Sequence, residues 1–288
     1  MSASSPLTVG VVGAGRVGAV LGAALNAAGH HVVAAAAVST ASRSRAARLL
    51  PGAAILPADE VARAADDLLL LAVPDDALAG VVSGLAATGA LRPGQVVAHT
   101  SGAHGLAVLG DRRGMALHPA MTFTGTALDL ERLPGIAWGV TTADRVFAAR
   151  LVADLGGVPE WVAEDARPVY HAALAHGANH LVTLINEAAD LLRAAGIEEP
   201  SRILSPLLHA ALDNALRLGD AALTGPVSRG DAGTVGKHLD GMPAEAVPAY
   251  LALARRTADR AIASGRLRPQ DAALLLDVLS RAAVGSPS

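Results

Sequence analysis

From residue 8 to about residue 162, short apolar runs alternate with longer stretches whose apolar positions recur at helical spacing. The runs at 8–12, 31–38, 68–73, 95–99, 115–118, 136–140 and 158–162 read as strands, and the stretches between them as helices. Strands separated by helices predict an α/β domain built on a doubly wound parallel sheet. Beyond Glu164 the strand pattern stops. Segments near 166–195, 200–219, 232–241, 244–264 and 269–283 read as helices, punctuated at Gly196, Pro200, Gly219, Gly225-Pro226, Pro243 and Pro269. The expected architecture is therefore an α/β domain over 1–163 followed by an all-α domain over 164–288.

The first strand breaks into Gly13-Ala14-Gly15-Arg16-Val17-Gly18 and then into an Ala/Leu-rich helical stretch. Strand, Gly-x-Gly-x-x-Gly and helix in that order form a dinucleotide-binding start of Rossmann type. Gly13 makes the turn, Gly15 admits a pyrophosphate to the backbone, and Gly18 lets helix and strand pack closely. The helix N-terminus offers unpaired N–H groups to the anion. At the end of the second strand an acid would hold the ribose 2′-hydroxyl of NAD, but the chain reads Ser39-Thr-Ala-Ser42-Arg43-Ser-Arg45. Hydroxyls and a guanidinium suit a 2′-phosphate. One good Arg contact favours NADP over NAD by roughly ten- to a hundredfold. The alternative is that Ser42 only caps the next helix and Arg43 and Arg45 lie on its solvated face.

With 288 residues and a formal net charge of −3, the chain has room for two domains and no electrostatic case for nucleic acid or an acidic membrane surface. The absence of cysteine excludes disulfides and thiolate metal sites. Lys237 is the sole lysine, so lysine chemistry has one candidate. No charged residue appears from Val17 to Ser42, yet Asn26 and Gly29-His30-His31 divide that stretch into pieces too short to span about 30 Å of hydrocarbon. Residues 1–6 lack the basic region of a signal peptide, and a cytoplasmic protein is expected.

Ligands bind at the carboxyl edge of an open sheet, so Val73-Pro74-Asp75 and His99-Thr100 are expected to line the nicotinamide half of the cofactor site, with Asp75 capping the next helix. His118 and Thr122 follow another strand at the same edge. On the helix from about Arg167, His176, Asn179, His180, Thr183 and Glu187 share one face. Neutral hydrogen-bonding groups there suit a half-desolvated cleft, and His is readily tuned for proton transfer. The spacing of His176 and His180 would also suit a metal, though the preferred reading has none. In Thr224-Gly-Pro-Val-Ser-Arg-Gly-Asp231, Ser228 and Arg229 could hold a carboxylate, and Asp231 either joins them or caps the next helix. The active site is expected between the two domains.

The glycine loop, Val73-Pro-Asp-Asp76, His99-Thr-Ser-Gly102, Leu117-His-Pro119 with Thr122-Phe123, Tyr170-His171, Asn179-His180 and the 224–231 segment together resemble an uncharacterised family. That family pairs a Rossmann-like NADP-binding domain with a helical domain of unknown function, and it is similar to β-hydroxyacid dehydrogenases, pyrroline-carboxylate reductases and ketopantoate reductases. The resemblance implies an NADPH-dependent reductase of a small 2-oxo acid, with ketopantoate the leading substrate, and a homodimer formed through the helical domain. The stretch comparable to the catalytic Lys and its two Asn in β-hydroxyacid dehydrogenases is His176-Gly-Ala-Asn179-His180, without the lysine. Either His176, His118 or a bound water donates the proton, with Asn179 to orient the carbonyl, or the reaction class differs. The alternatives are an imine reductase and a non-catalytic NADP-binding regulator.

Overall fold

The computed structural model describes residues 5–284. The segment 1–6 read above for a leader therefore lies mostly outside the described residues. An eight-stranded sheet in the order β3-β2-β1-β4-β5-β6-β7-β8 dominates the first part of the chain. Its strands are β1 Thr8–Val12, β2 His31–Ala36, β3 Ala54–Ile55, β4 Leu68–Leu71, β5 Val96–His99, β6 Gly114–Pro119, β7 Ala137–Thr142 and β8 Val158–Trp161. In β4, Leu68 and Leu70 face one buried cluster with Val9, Val11 and Leu21, while Leu69 and Leu71 face another with Val12, Val61 and Leu78. A strand that is leucine at every position is what a sheet covered on both faces requires.

Two features differ from the sequence expectation. The two-residue strand β3 pairs with β2 through Ala34 and Ala35 and is too short to leave a pattern. The sheet is also not wholly parallel: β7 runs antiparallel to β6, with His118 opposite Gly139 and Ala116 opposite Thr141. Apolar patterning records burial but not direction. The uncharged stretch from Val17 to Ser42 resolves into the helix Arg16–Ala27, strand β2 and the start of the helix Thr40–Leu49. Among the described residues no helix is long and apolar enough to cross a membrane.

The chain divides into compact units 1–177 and 178–288, fourteen residues beyond the expected boundary at 163/164. The reason is Arg167. Its side chain is fully buried. It donates from Nε to Thr141 Oγ1 (2.8 Å), from Nη1 to the Ser101 carbonyl (3.3 Å), and from Nη2 to the carbonyls of Ala116 and Gly139 (both 3.0 Å). The helix Arg167–Leu174 is thereby fastened to the sheet. The long helix expected near 166–195 is in fact interrupted, because Ala175–Asn179 forms a π turn before the helix His180–Ala194. A π turn changes the angular spacing of side chains, so positions counted from His176 at α-helical spacing do not keep one register.

The second unit is helical, with Pro200–Leu218, Ala232–Gly241, Val247–Ala263 and Pro269–Val284 as its longer members after His180–Ala194. Its core holds Val235, Leu251, Ala254, Ala258, Leu267, Leu275 and Leu279.

Replacing Arg167 with Leu leaves three carbonyls and a hydroxyl in the interior without their donor. This is expected to cost roughly 2–4 kcal/mol after allowing for the relieved charge burial. The check is a lower urea midpoint at an unchanged slope.

Candidate functional site

Parallel pairing from β1 through β4 and β5 to β6 brings their carboxyl ends to one edge of the sheet. The glycine loop follows β1, Val73 and Pro74 follow β4, Thr100–Gly102 follow β5, and His118 closes β6. Three strand spacings separate the ends of β1 and β6, about 14 Å.

The three glycines of the loop are needed for different reasons. Gly13 has φ +96°, and a Cβ there would overlap the Ala72 carbonyl. A Cβ on Gly18 would overlap the Gly13 carbonyl oxygen and crowd Ala72. Gly15 has φ −73°, and a Cβ there would meet only Gly13 O, at 4.0 Å. Nothing within the protein therefore demands glycine at 15. That position is the N-cap of the helix Arg16–Ala27, which has no side-chain cap and no acid in its first turn. An open, uncapped N-terminus with no Cβ in front of it fits a dinucleotide pyrophosphate.

At the end of β2, Ser39 caps the helix Thr40–Leu49: its Oγ accepts from the Ser42 N–H (3.1 Å), and Ser42 Oγ donates to the Ser39 carbonyl (2.8 Å). Arg43 is exposed and donates from Nε to the Ala37 carbonyl (3.3 Å). Arg45, in the same cluster, is not on a solvated face. Its Nε is buried without a partner, and it lies with Arg16 against Gly125. Among the described residues none of Arg16, Arg43 and Arg45 forms an ion pair with a carboxylate. Gly125 belongs to a loop held by the buried carboxylate of Asp129, which accepts from the N–H groups of Thr124 (2.9 Å) and Gly125 (2.7 Å).

His118, at the end of β6, meets Tyr170 Oη through Nδ1 at 2.9 Å. The two rings are edge-on at 5.6 Å, and the His171 ring stands 6.0 Å from that of His118. Gly102 makes this grouping possible, since a Cβ there would lie 2.6 Å from His171 Cδ2 and 3.1 Å from His118 Nε2. Burial first, then the charges of His171 and Arg167, push His118 down to about 4, with Asp75 opposing. His99 is also lowered to about 4, again chiefly by burial; its Nε2 meets the Gly105 carbonyl at 2.8 Å. Burial raises Tyr170, while Arg167 and the Gly139 backbone act in the opposite sense. Burial opposes the charge of Glu164, yet the N–H groups of Ala107 and Leu106 that it accepts hold it below the usual carboxylate range.

The remaining predicted residues are placed as follows. Asp75 is the first residue of the helix Asp75–Ala87; Pro74 occupies the cap position, so Asp75 does not cap it. Its carboxylate lies instead in the first turn, where the helix dipole favours it. Thr122 is exposed in the loop after β6. His176 and Asn179 are exposed on the π turn, at the sequence boundary of the two units. In the helical unit, Ser228 is buried and donates to the Gly225 carbonyl (3.1 Å), Arg229 is exposed, and Asp231 caps the helix Ala232–Gly241 by accepting from the Thr234 N–H (3.0 Å). Among the described residues no three His, Asp or Glu side chains are grouped to hold a metal. Sequence reasoning missed Arg167, although Arg167-Pro168-Val169-Tyr170-His171 opens a helix and puts three chemistry-bearing side chains within one turn.

Residues 2–119 match the model of a Rossmann-like domain, and residues 136–257 match that of a domain of unknown function, DUF2520. The chain joins a Rossmann-like domain to a DUF2520 domain. No curated protein matches it. Among solved structures it is similar to a Bacteroides fragilis protein provisionally described as an NADP oxidoreductase, at 21% identity and TM-score 0.75, covering 88% of this chain and 98% of that one. A Thermotoga maritima protein is 19% identical with TM-score 0.60, covering 95% and 99%. Plasmodium falciparum pyrroline carboxylate reductase, solved with NADP bound, is 11% identical with TM-score 0.58, covering 93% and 98%. At these identities the likeness is one of fold, and the Rossmann-like domain of this chain shares it. The DUF2520 match begins at residue 136, so it takes in β7, β8 and the Arg167 helix as well as much of the helical unit.

Buried His99 and half-buried His118 both fold into surroundings that disfavour their charged form. The native state therefore binds fewer protons than the unfolded chain between about pH 4 and the unperturbed value near 6.5. Their contribution is complete above that range and is lost as pH falls through it, by roughly 3 kcal/mol each at the acid end. Urea unfolding should show stability falling from pH 7 to 4, and His118→Gln should flatten the fall.

Proposed function

We propose that the protein is an NADPH-dependent oxidoreductase that reduces the carbonyl of a small 2-oxo acid, with ketopantoate the first substrate to test. The carrying observation is Gly15: a glycine that no neighbouring atom in the protein requires, at the open N-terminus of the helix that follows β1. The pyrophosphate would lie against Gly13, Ala14, Gly15, Arg16, Val17 and Gly18. The 2′-phosphate would lie by Ser39, Ser42 and Arg43, with Arg45 and Arg16 adding charge not paired to any carboxylate. Neighbours described as an NADP oxidoreductase or solved with NADP support that choice.

When bound, the nicotinamide supplies a hydride to the substrate carbon. Val73, Pro74, Asp75 and Thr100 stand where they would flank it, at the ends of β4 and β5. His118 supplies the proton-bearing group at the same edge. Thr122, exposed in the loop after β6, would contact the carboxylate. The roles read from the sequence for Asn179, Ser228, Arg229 and Asp231 are to be tested by substitution; Ser228 Oγ already donates to the Gly225 carbonyl. His176 is the second proton donor to test. A cyclic-imine substrate is the competing reading, supported by the fold shared with pyrroline carboxylate reductase.

We further propose a homodimer. The helix His180–Ala194 is amphipathic yet buries none of its residues, and Val182, Leu207 and Leu216 are at least 60% exposed. A second copy would cover them. Light scattering should give twice the chain mass, and Leu216→Glu should shift it toward the monomer.

Gly15→Val should weaken NADPH binding at least tenfold while leaving the melting temperature near that of the wild type. Arg43→Ala should weaken NADPH binding more than NADH binding, and equal losses in titration would reject the 2′-phosphate site. NADPH oxidation with ketopantoate and other 2-oxo acids tests the reaction; no turnover with any of them rejects the substrate class.

A further inference from the structure

The site holds a buried cation, a phenol and an imidazole in sequence, and their chemistry bears on which atom of a substrate they can serve. Arg167 makes all four of its hydrogen bonds to neutral oxygens and stands with Cζ 5.8 Å from the Tyr170 ring centroid. The Gly139 backbone also faces the Tyr170 oxygen; a Cβ on Gly139 would overlap Oη. Burial outweighs both and holds Tyr170 above the usual phenol range, so it stays protonated, while Arg167 and the Gly139 backbone face its oxygen as positive groups. The phenol's own proton is then the one left to lie along the 2.9 Å line to His118 Nδ1. A neutral imidazole that accepts at Nδ1 carries its proton on Nε2. This nitrogen lies beside Gly102, 3.1 Å from where a Cβ would stand. The groups acting on His118 from neighbouring elements are His171, Arg167 and Asp75, and the first two oppose its protonation.

We propose that Tyr170, backed by Arg167, fixes His118 as an Nε2–H donor, and that this donor selects substrates whose reducible group ends in an oxygen lone pair. A ketone oxygen accepts such a bond. An iminium nitrogen has no lone pair and meets the N–H as a like-charged edge. The inference rests on the reading of the edge as a reductase site, and it favours a carbonyl over a protonated imine.

The arrangement also supplies the proton. Hydride addition forms a C–H bond, oxidises NADPH to NADP+ and moves the carbonyl π pair onto oxygen. That oxygen takes the Nε2 proton as Nδ1 takes the Tyr170 proton. Because burial disfavours a phenolate, Tyr170 takes a proton from water as it gives up its own. The imidazole ends neutral with its proton on the other nitrogen, and ring rotation or proton exchange with water resets it. Tyr170 and Arg167 act through His118 and are positioning residues.

The deciding measurement is the tautomer of His118 in the full, cofactor-free chain. In 15N-histidine-labelled protein at pH 7, long-range 1H–15N correlation spectra, assigned with His118→Gln, should show the Nε2–H form. Tyr170→Phe should convert it to a tautomer mixture while the signals of His30 and His99 stay in place. An Nδ1–H form in the wild type, or no change in Tyr170→Phe, overturns the proposal. The wild-type spectrum alone decides it if Tyr170→Phe fails to fold. In turnover with NADPH, Tyr170→Phe should lower kcat for a 2-oxo acid at least tenfold with little change in KM. Reduction of a cyclic imine faster than any 2-oxo acid overturns the selectivity, whereas an Nε2–H spectrum without turnover of either leaves the tautomer standing and rejects the reductase reading alone.

Discussion

A single buried guanidinium organises the site half of the sheet. Arg167 spans the end of β5, the middle of β6 and the middle of β7 through Ser101, Ala116, Gly139 and Thr141, tying one helix to three strands. The arrangement avoids the usual cost of a buried charge only because its donors meet well-placed oxygens. The helix it anchors then carries Tyr170 and His171 toward the level of His118. Without that anchor the helix Arg167–Leu174 would lose its ties to the strands that end beside His118.

Electrostatically, the edge is built from neutral imidazoles around one cation. His99 and His118 are both held low by burial, and Arg167 adds to the effect on each. Nearby carboxylates are engaged elsewhere: Glu164 is bound by two backbone N–H groups, and Asp75 lies in the first turn of its helix. A site of this kind orients by hydrogen-bond direction more than by net charge.

The glycine loop and its flanking strand and helix were legible in the sequence because steric constraint writes itself directly into residue identity. The ends of β4, β5 and β6 were legible for a related reason, as apolar runs that terminate in polar residues. What escaped the sequence did so for physical causes. Arginine is a surface residue in most contexts, so Arg167 carried no mark of its burial. The Tyr170–His118 bond joins residues 52 positions apart. Strand direction leaves no trace in apolar patterning, which hid the reversal of β7. The π turn at Ala175–Asn179 is likewise invisible to a count made at fixed helical spacing. Arg45 stood in plain view in the Ser39–Arg45 cluster, but only its position beside Arg16 and Gly125 distinguishes it from Arg43.

The reversal of β7 has an evolutionary consequence. Because β7 begins where β6 ends, the connection 120–136 stays at the carboxyl edge of the parallel strands, whereas a parallel crossover would have carried the chain to the far side. Insertions and deletions in that connection can therefore reshape what the edge accepts without disturbing strand register. Its anchor at Asp129, which holds the backbone of Thr124 and Gly125, limits where such variation can fall. Divergence in ligand preference among proteins of this architecture has a short, structurally inexpensive segment in which to accumulate.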